Sequence, residues 1–156
     1  MKKLIIYILL FTISISYSQK KELRNANKFF TSGEYSSAID LLDSSQEIFD
    51  LSDDKIKSQA MLLYGKLHTV MQDFDLAIKA FDLSRSYGIS NQLLAPEINK
   101  LENAIITSAV GDNETEKFNE AAKKLKMVYD LNKDVNENYL FYAASSAVNS
   151  KDYSLA

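Results

Sequence analysis

The 156-residue chain has no cysteine, no tryptophan, one proline and four glycines. Without cysteine there is no disulfide framework, no thiolate zinc site, no cysteine nucleophile and no lipid carried on cysteine. The shortage of Pro and Gly, with 25% charged residues, argues against a turn-rich sandwich and against disorder, and favours long helices. Positive charge is short as well. The net charge is -3, and residues 1–18 hold Lys2, Lys3 and no acid, so that beyond them 16 bases face 21 acids, a net of -5. Such a chain is poorly matched to nucleic acid or to an anionic membrane. What is present is 46% hydrophobic residues, enough for one sizeable core or a row of small ones.

Residues 1–18 have the pattern of an export signal. Lys2 and Lys3 give a positive start, Leu4 to Ile13 is apolar except for Thr12, and Ser16-Tyr17-Ser18 offers small residues for cleavage. The apolar run is far shorter than the ~20 residues that span a bilayer. An uncleaved anchor or a buried first helix is the other reading of the same run. The expectation is a mature chain beginning at Gln19, periplasmic or secreted, not a lipoprotein, and without membrane insertion once the signal is removed.

Apolar residues then recur at three- and four-residue steps. Leu23, Ala26, Phe29 and Phe30 predict a first helix over 20–31, stopped at Ser32-Gly33-Glu34. A second helix is expected from Tyr35 to Ile48, and a third from about Lys55 to Met71. A fourth runs from Phe74 to Tyr87, with Asp73 as its cap and Gly88 as its stop. Residues 89–95 connect onward, with Ser90 or Asn91 as a cap, and Pro96 is tolerated only in a first turn. A fifth helix should end at Gly111-Asp112-Asn113, and a sixth should open at Asn113 or Thr115. The seventh covers about 137–148. Tyr153 to Ala156 is the first turn of another.

One phrase repeats along this chain: an aromatic, Ala three residues later, and a bulky residue at the seventh step. It occurs as Tyr35/Ala38/Leu42, Phe74/Ala77/Phe81 and Phe118/Ala121/Leu125, and begins again at Tyr153/Ala156. The intervals are 39, 44 and 35 residues. Paired helices repeated at such lengths are the sign of a solenoid.

The pattern resembles the tetratricopeptide repeat (TPR) family. The second repeat matches best, with Met61, Tyr64-Gly65 and His68 in the first helix and Ala77 and Phe81 in the second. The first repeat offers Ala26, Phe29, Gly33, Tyr35, Ala38 and Leu42. The fourth offers Leu140, Ala143, Ala144, Ala147, Tyr153 and Ala156. The third matches in its second helix only. The resemblance implies an all-α superhelix over 19–156, with repeats at about 19–54, 55–91, 92–133 and an incomplete one at 137–156. It implies close helix approach at Gly65, Ala77 and Ala121, with aromatics filling around them. It also implies a concave groove for a protein or peptide partner, lined by Leu23, Asn27, Phe30, Leu62, Lys66, Thr69, Phe141, Ser145 and Val148. A subtype that grips C-terminal carboxylates with Lys and Asn is not matched, since Asn27 fits but Leu23 stands where Lys is expected. An irregular all-α bundle is the alternative arrangement.

Chemistry-bearing residues are sparse. His68 is the single histidine and holds a packing position, where a satisfied interhelical histidine is expected. The carboxylates at Asp50, Asp53 and Asp54, and at Asp112, Glu114 and Glu116, lack the calcium-loop pattern and are expected as helix N-terminal acids. Lys123, Lys124 and Lys126 are expected on a solvated face. Asn113-Glu114-Thr115 fits a glycosylation sequon. No nucleophile, metal set or phosphate loop survives, so the expectation is no enzyme, no cofactor and a scaffold that binds other molecules. The alternative is a helical appendage to an enzyme or transport component lying beyond Ala156. The seventh helix carries Leu140, Phe141, Tyr142, Ala143, Ala147 and Val148, and with its partner helix cut off after Ala156, residues 137–156 are expected to expose an apolar patch.

Overall fold

A computed structural model describes residues 19–151. The expected signal at 1–18 and the turn at Tyr153–Ala156 lie outside the described residues. All the regular structure in the described part is helical. Helix α1 covers 19–32. It is followed by α2 (Tyr35–Ser44), α3 (Gln46–Asp50), α4 (Asp54–Met71), α5 (Phe74–Ser86), α6 (Asn91–Glu114), α7 (Phe118–Leu131) and α8 (Glu137–Ser150). The chain divides into two compact units, 1–96 and 97–156, and the boundary falls inside α6.

Local chemistry explains three of the helix ends. Asp53 caps α4, its carboxylate accepting the backbone N–H of Ile56 at 2.9 Å. Gly33 and Gly88 take φ of +81° and +84°, where a side chain would be strained, and so end α1 and α5.

The tight turns share one geometry. Gly33, Gln72, Glu116 and Lys151 all lie at positive φ. They are spaced by 39, 44 and 35 residues, the same intervals as the aromatic phrase two residues later. The next residues, Glu34, Asp73 and Lys117, have φ of -84° to -85° and ψ of 58° to 66°. Each donates its N–H to the carbonyl five residues back, that of Phe29, His68 or Asp112, at 2.8–2.9 Å. Such a bond satisfies a carbonyl that the helix end would leave orphaned. Among these four turns glycine takes the left-handed position only once, at Gly33. Gln72, Glu116 and Lys151 adopt it against their intrinsic preference.

Counting from this turn aligns the helices. Seven residues before each left-handed residue stand Ala26, Gly65, Ala109 and Ala144. Twelve residues after the first three come Ala38, Ala77 and Ala121, and four further on Leu42, Phe81 and Leu125. These nine are buried, whereas Ala144 is half-buried. The small residue lets the bulky one lie over the opposing backbone. A Cβ placed on Gly65 would sit 2.3 Å from the Phe81 ring, closer than atoms can approach.

Several expectations are corrected. The second helix does not run to Ile48; it breaks at Ser45, and the short α3 follows, burying Phe49. Helix α6 starts at Asn91 within the expected connection, placing Pro96 in the second turn, where no N–H is offered to the carbonyl four residues back. It continues through Gly111 to Glu114, and α7 starts only at Phe118. Counted back from the left-handed residue, Ala109 of α6 stands where Gly65 stands in α4, and the extra length of α6 lies at its N-terminal side. Asp112 and Glu114 therefore end a helix, and Glu116 occupies the turn. Lys124 is not on a free face: it bonds to Ser108 and Asp112 of α6. Asp73 begins α5 with no side-chain cap bond.

Unit 1 has a core of Leu23, Ala26, Ala38, Leu42, Phe49 and four α4 residues, among them Leu63 and Leu67. Ser84 of α5 donates to the buried carbonyl of Ser58 at 2.7 Å. Unit 2 gathers Ala109, Leu125 and Ala143 with Tyr139 against them. Asn136 closes its α7–α8 connection, its amide donating to the Val128 carbonyl at 2.8 Å.

Candidate functional site

The nine expected groove residues do not share one fate. In unit 1, Leu23 is buried in the core, and Thr69 is buried with its hydroxyl donating to the Gly65 carbonyl at 2.7 Å. Neither side chain is presented to a ligand. Asn27 and Leu62 are half-buried, and the Asn27 amide donates to the Leu23 carbonyl at 3.0 Å. Phe30 and Lys66 are brought together, with the ammonium 4.6 Å from the ring centroid. Tyr35 packs on the same ring with centroids 5.7 Å apart. In unit 2, Phe141, Ser145 and Val148 are exposed on α8, Phe141 to 73%. The expected apolar patch is present in part: Leu140 and Tyr142 are exposed too, but Ala143 and Ala147 are buried. The Tyr142 ring meets those of Tyr139 and Phe141 edge-on.

His68 departs from the expectation of a satisfied histidine. Its ring stacks on Tyr64, and its buried Nδ1 lies 3.5 Å from Asp73 Oδ2 without a hydrogen bond. Tyr64 donates to Asp43 Oδ1 at 2.6 Å. Burial first, then this bond and the charges of Asp43 and Asp50, push its phenol well above the ordinary range. The bond ties α2 to α4. Among the described residues, no three histidines or carboxylates converge as a metal site. No described helix is long and apolar enough to cross a membrane.

Unit 2 carries a feature that the groove expectation missed. An open cleft of about 490 Å³ lies among α6, α7 and α8. Ile106 and Val110 form one apolar wall, and Tyr139 and Tyr142 another. Asn113 and Ser146 bond across it at 3.0 Å, and Ser145 is the one expected groove residue on its lining. The lining carries no charged side chain. The sequence signal that could have found it is the twelve-residue spacing from Ala109 to Ala121, which matches that from Gly65 to Ala77.

The chain matches no family model, and no curated protein or solved structure is significantly similar to it.

Proposed function

We propose that the chain is an exported, TPR-like helical-repeat scaffold that binds a peptide or protein partner in the bacterial cell envelope and catalyses no reaction. The observation that carries this reading is the recurrent turn at Gly33, Gln72, Glu116 and Lys151, with the buried small–Ala–bulky trio around the first three. Repeated hairpins of this kind stack into superhelices whose extended surfaces serve recognition. The surface offered is Asn27, Phe30, Leu62 and Lys66 in unit 1, and Phe141, Ser145 and Val148 in unit 2. The acidic balance favours a protein partner over nucleic acid.

An array of synthetic peptides probed with the full chain tests binding. Saturable retention of a subset is expected, and retention of none would overturn the reading. Intact mass of the exported form tests location. A chain starting at Gln19 is expected, and retained Met1 on a cytosolic protein would overturn that part.

A further inference from the structure

The two units use one register in two ways. Asn113 and Ser145 of the unit 2 cleft stand where Phe30 and Lys66 stand in unit 1, each pair counted from its own left-handed residue. By the same count, Tyr142 and Ser146 correspond to Leu63 and Leu67, and Phe118 and Leu125 to Tyr35 and Leu42. In unit 1 these positions close up. Leu42, Leu63 and Leu67 are at most 2% exposed, the Phe30 ring packs on Tyr35, and the Lys66 ammonium covers it. In unit 2, an amide and a hydroxyl stand in place of the ring and its ammonium, and both line the cleft of about 490 Å³. Tyr142 is 50% exposed there, where its counterpart Leu63 is 2%.

We infer that this cleft binds an aromatic side chain of a peptide partner, taking from outside the ring that Phe30 supplies within unit 1. The inference rests on the scaffold reading above and names its ligand class. The lining carries no charge, so it is complementary to a neutral ring and offers no counter-ion to a charged one. The cleft also continues an existing apolar interface, because Leu125 and Tyr139 belong both to its wall and to the Ala109–Ala143 cluster. Tyr139 and Tyr142, 5.9 Å apart and edge-on, present aromatic surface for a third ring to pack against. Asn113, Ser145, Ser146 and Asn149 add amide and hydroxyl groups that suit a peptide backbone beside that ring.

The test uses the full chain, isotope-labelled for NMR, titrated with acetyl-Gly-Phe-Gly-amide and with the same peptide bearing Ala in place of Phe. Saturable shifts at Ile106, Val110 and Tyr142 are expected, with the Ala peptide weaker by about tenfold or more, the scale of burying one large apolar side chain. Ser145→Lys should weaken the Phe peptide severalfold, and Asn113→Phe with Ser145→Lys, which copies unit 1, should abolish the shifts. If the double variant does not fold, Ser145→Lys alone decides. Equal binding of both peptides, or no cleft shifts, overturns the inference. Shifts confined to Phe30 and Lys66 overturn it too but leave the scaffold reading standing. If instead the cleft signals move with protein concentration and Phe141→Ala stops this, the occupant is a second copy and the peptide inference is wrong.

Discussion

Unit 1 and unit 2 pass the same turn geometry through different side chains, and their interiors differ accordingly. In unit 1 the residues around the turns are large, among them Phe30, Lys66 and Leu67, and a short helix, α3, adds Phe49 to the core. In unit 2 the matching places hold Asn113, Ser145 and Ser146, and a cleft remains. The frame is thus set by small residues at close approaches. Whether the space between hairpins is filled core or open cleft is set by a few bulky positions. Interiors pack densely, so one missing ring is enough to open a cavity.

The comparison breaks most violently at its tightest contact. Phe81→Ala removes a fully buried ring over Gly65 and should cost about 3–5 kcal/mol. Gly65→Ala forces the ring aside and should cost about 1–3 kcal/mol. Denaturant unfolding reads both. A Gly65→Ala protein as stable as the parent would show that the helices do not approach as closely as described. An interior opened on purpose comes next. Phe30→Asn gives unit 1 the unit 2 residue at a half-buried position and should cost about 1–2 kcal/mol. It should also leave Lys66 without its ring. An unchanged melting temperature would mean that Phe30 fills nothing.

Tyr64 sharpens the contrast through pH. Its folded-state pKa is raised, so the stabilisation it gives is fully present below the ordinary phenol value of about 10. That stabilisation is lost as pH rises above this point. Tyr64→Phe loses the bond to Asp43, about 1 kcal/mol at neutral pH, and should flatten the alkaline fall in Tm. Parallel alkaline profiles for parent and variant would refute the assignment. The smallest effect tests the shared turn. Gln72→Gly and Glu116→Gly each relieve a left-handed side-chain residue and should stabilise by about 1 kcal/mol. A loss at either would mean that its side chain, not its backbone, holds the turn.

The all-α character and the α4–α5 hairpin were legible because their signals are local. Asp53 caps α4, Gly88 stops α5, and Phe74, Ala77 and Phe81 share the buried face of α5. The errors cluster where local signals mislead. Gly111 looks like a stop but lies inside α6, where it meets nothing within 4 Å. The real stop, Glu116, carries no glycine signature. That one displacement hid the alignment of α6 and, with it, the cleft. Lys124 looked solvated because its partners, Ser108 and Asp112, lie on another helix, 16 and 12 residues away in sequence. Leu23 and Thr69 were expected in a groove because the family pattern places them there, yet both are buried.

The sequence by itself determined the all-helical character, the intervals of the repeated phrase and the small residues at the helix contacts. These follow from periodicity and from the absence of Cβ bulk, which are properties of neighbours along the chain. Only the tertiary structure decided that Gln72, Glu116 and Lys151 take a conformation more natural to glycine. It alone decided that Phe30 is covered by Lys66, and that the matching place in unit 2 stays open. Those outcomes depend on the volume left between helices that the chain brings together from a distance, and volume between distant elements is not a property of any local stretch of sequence.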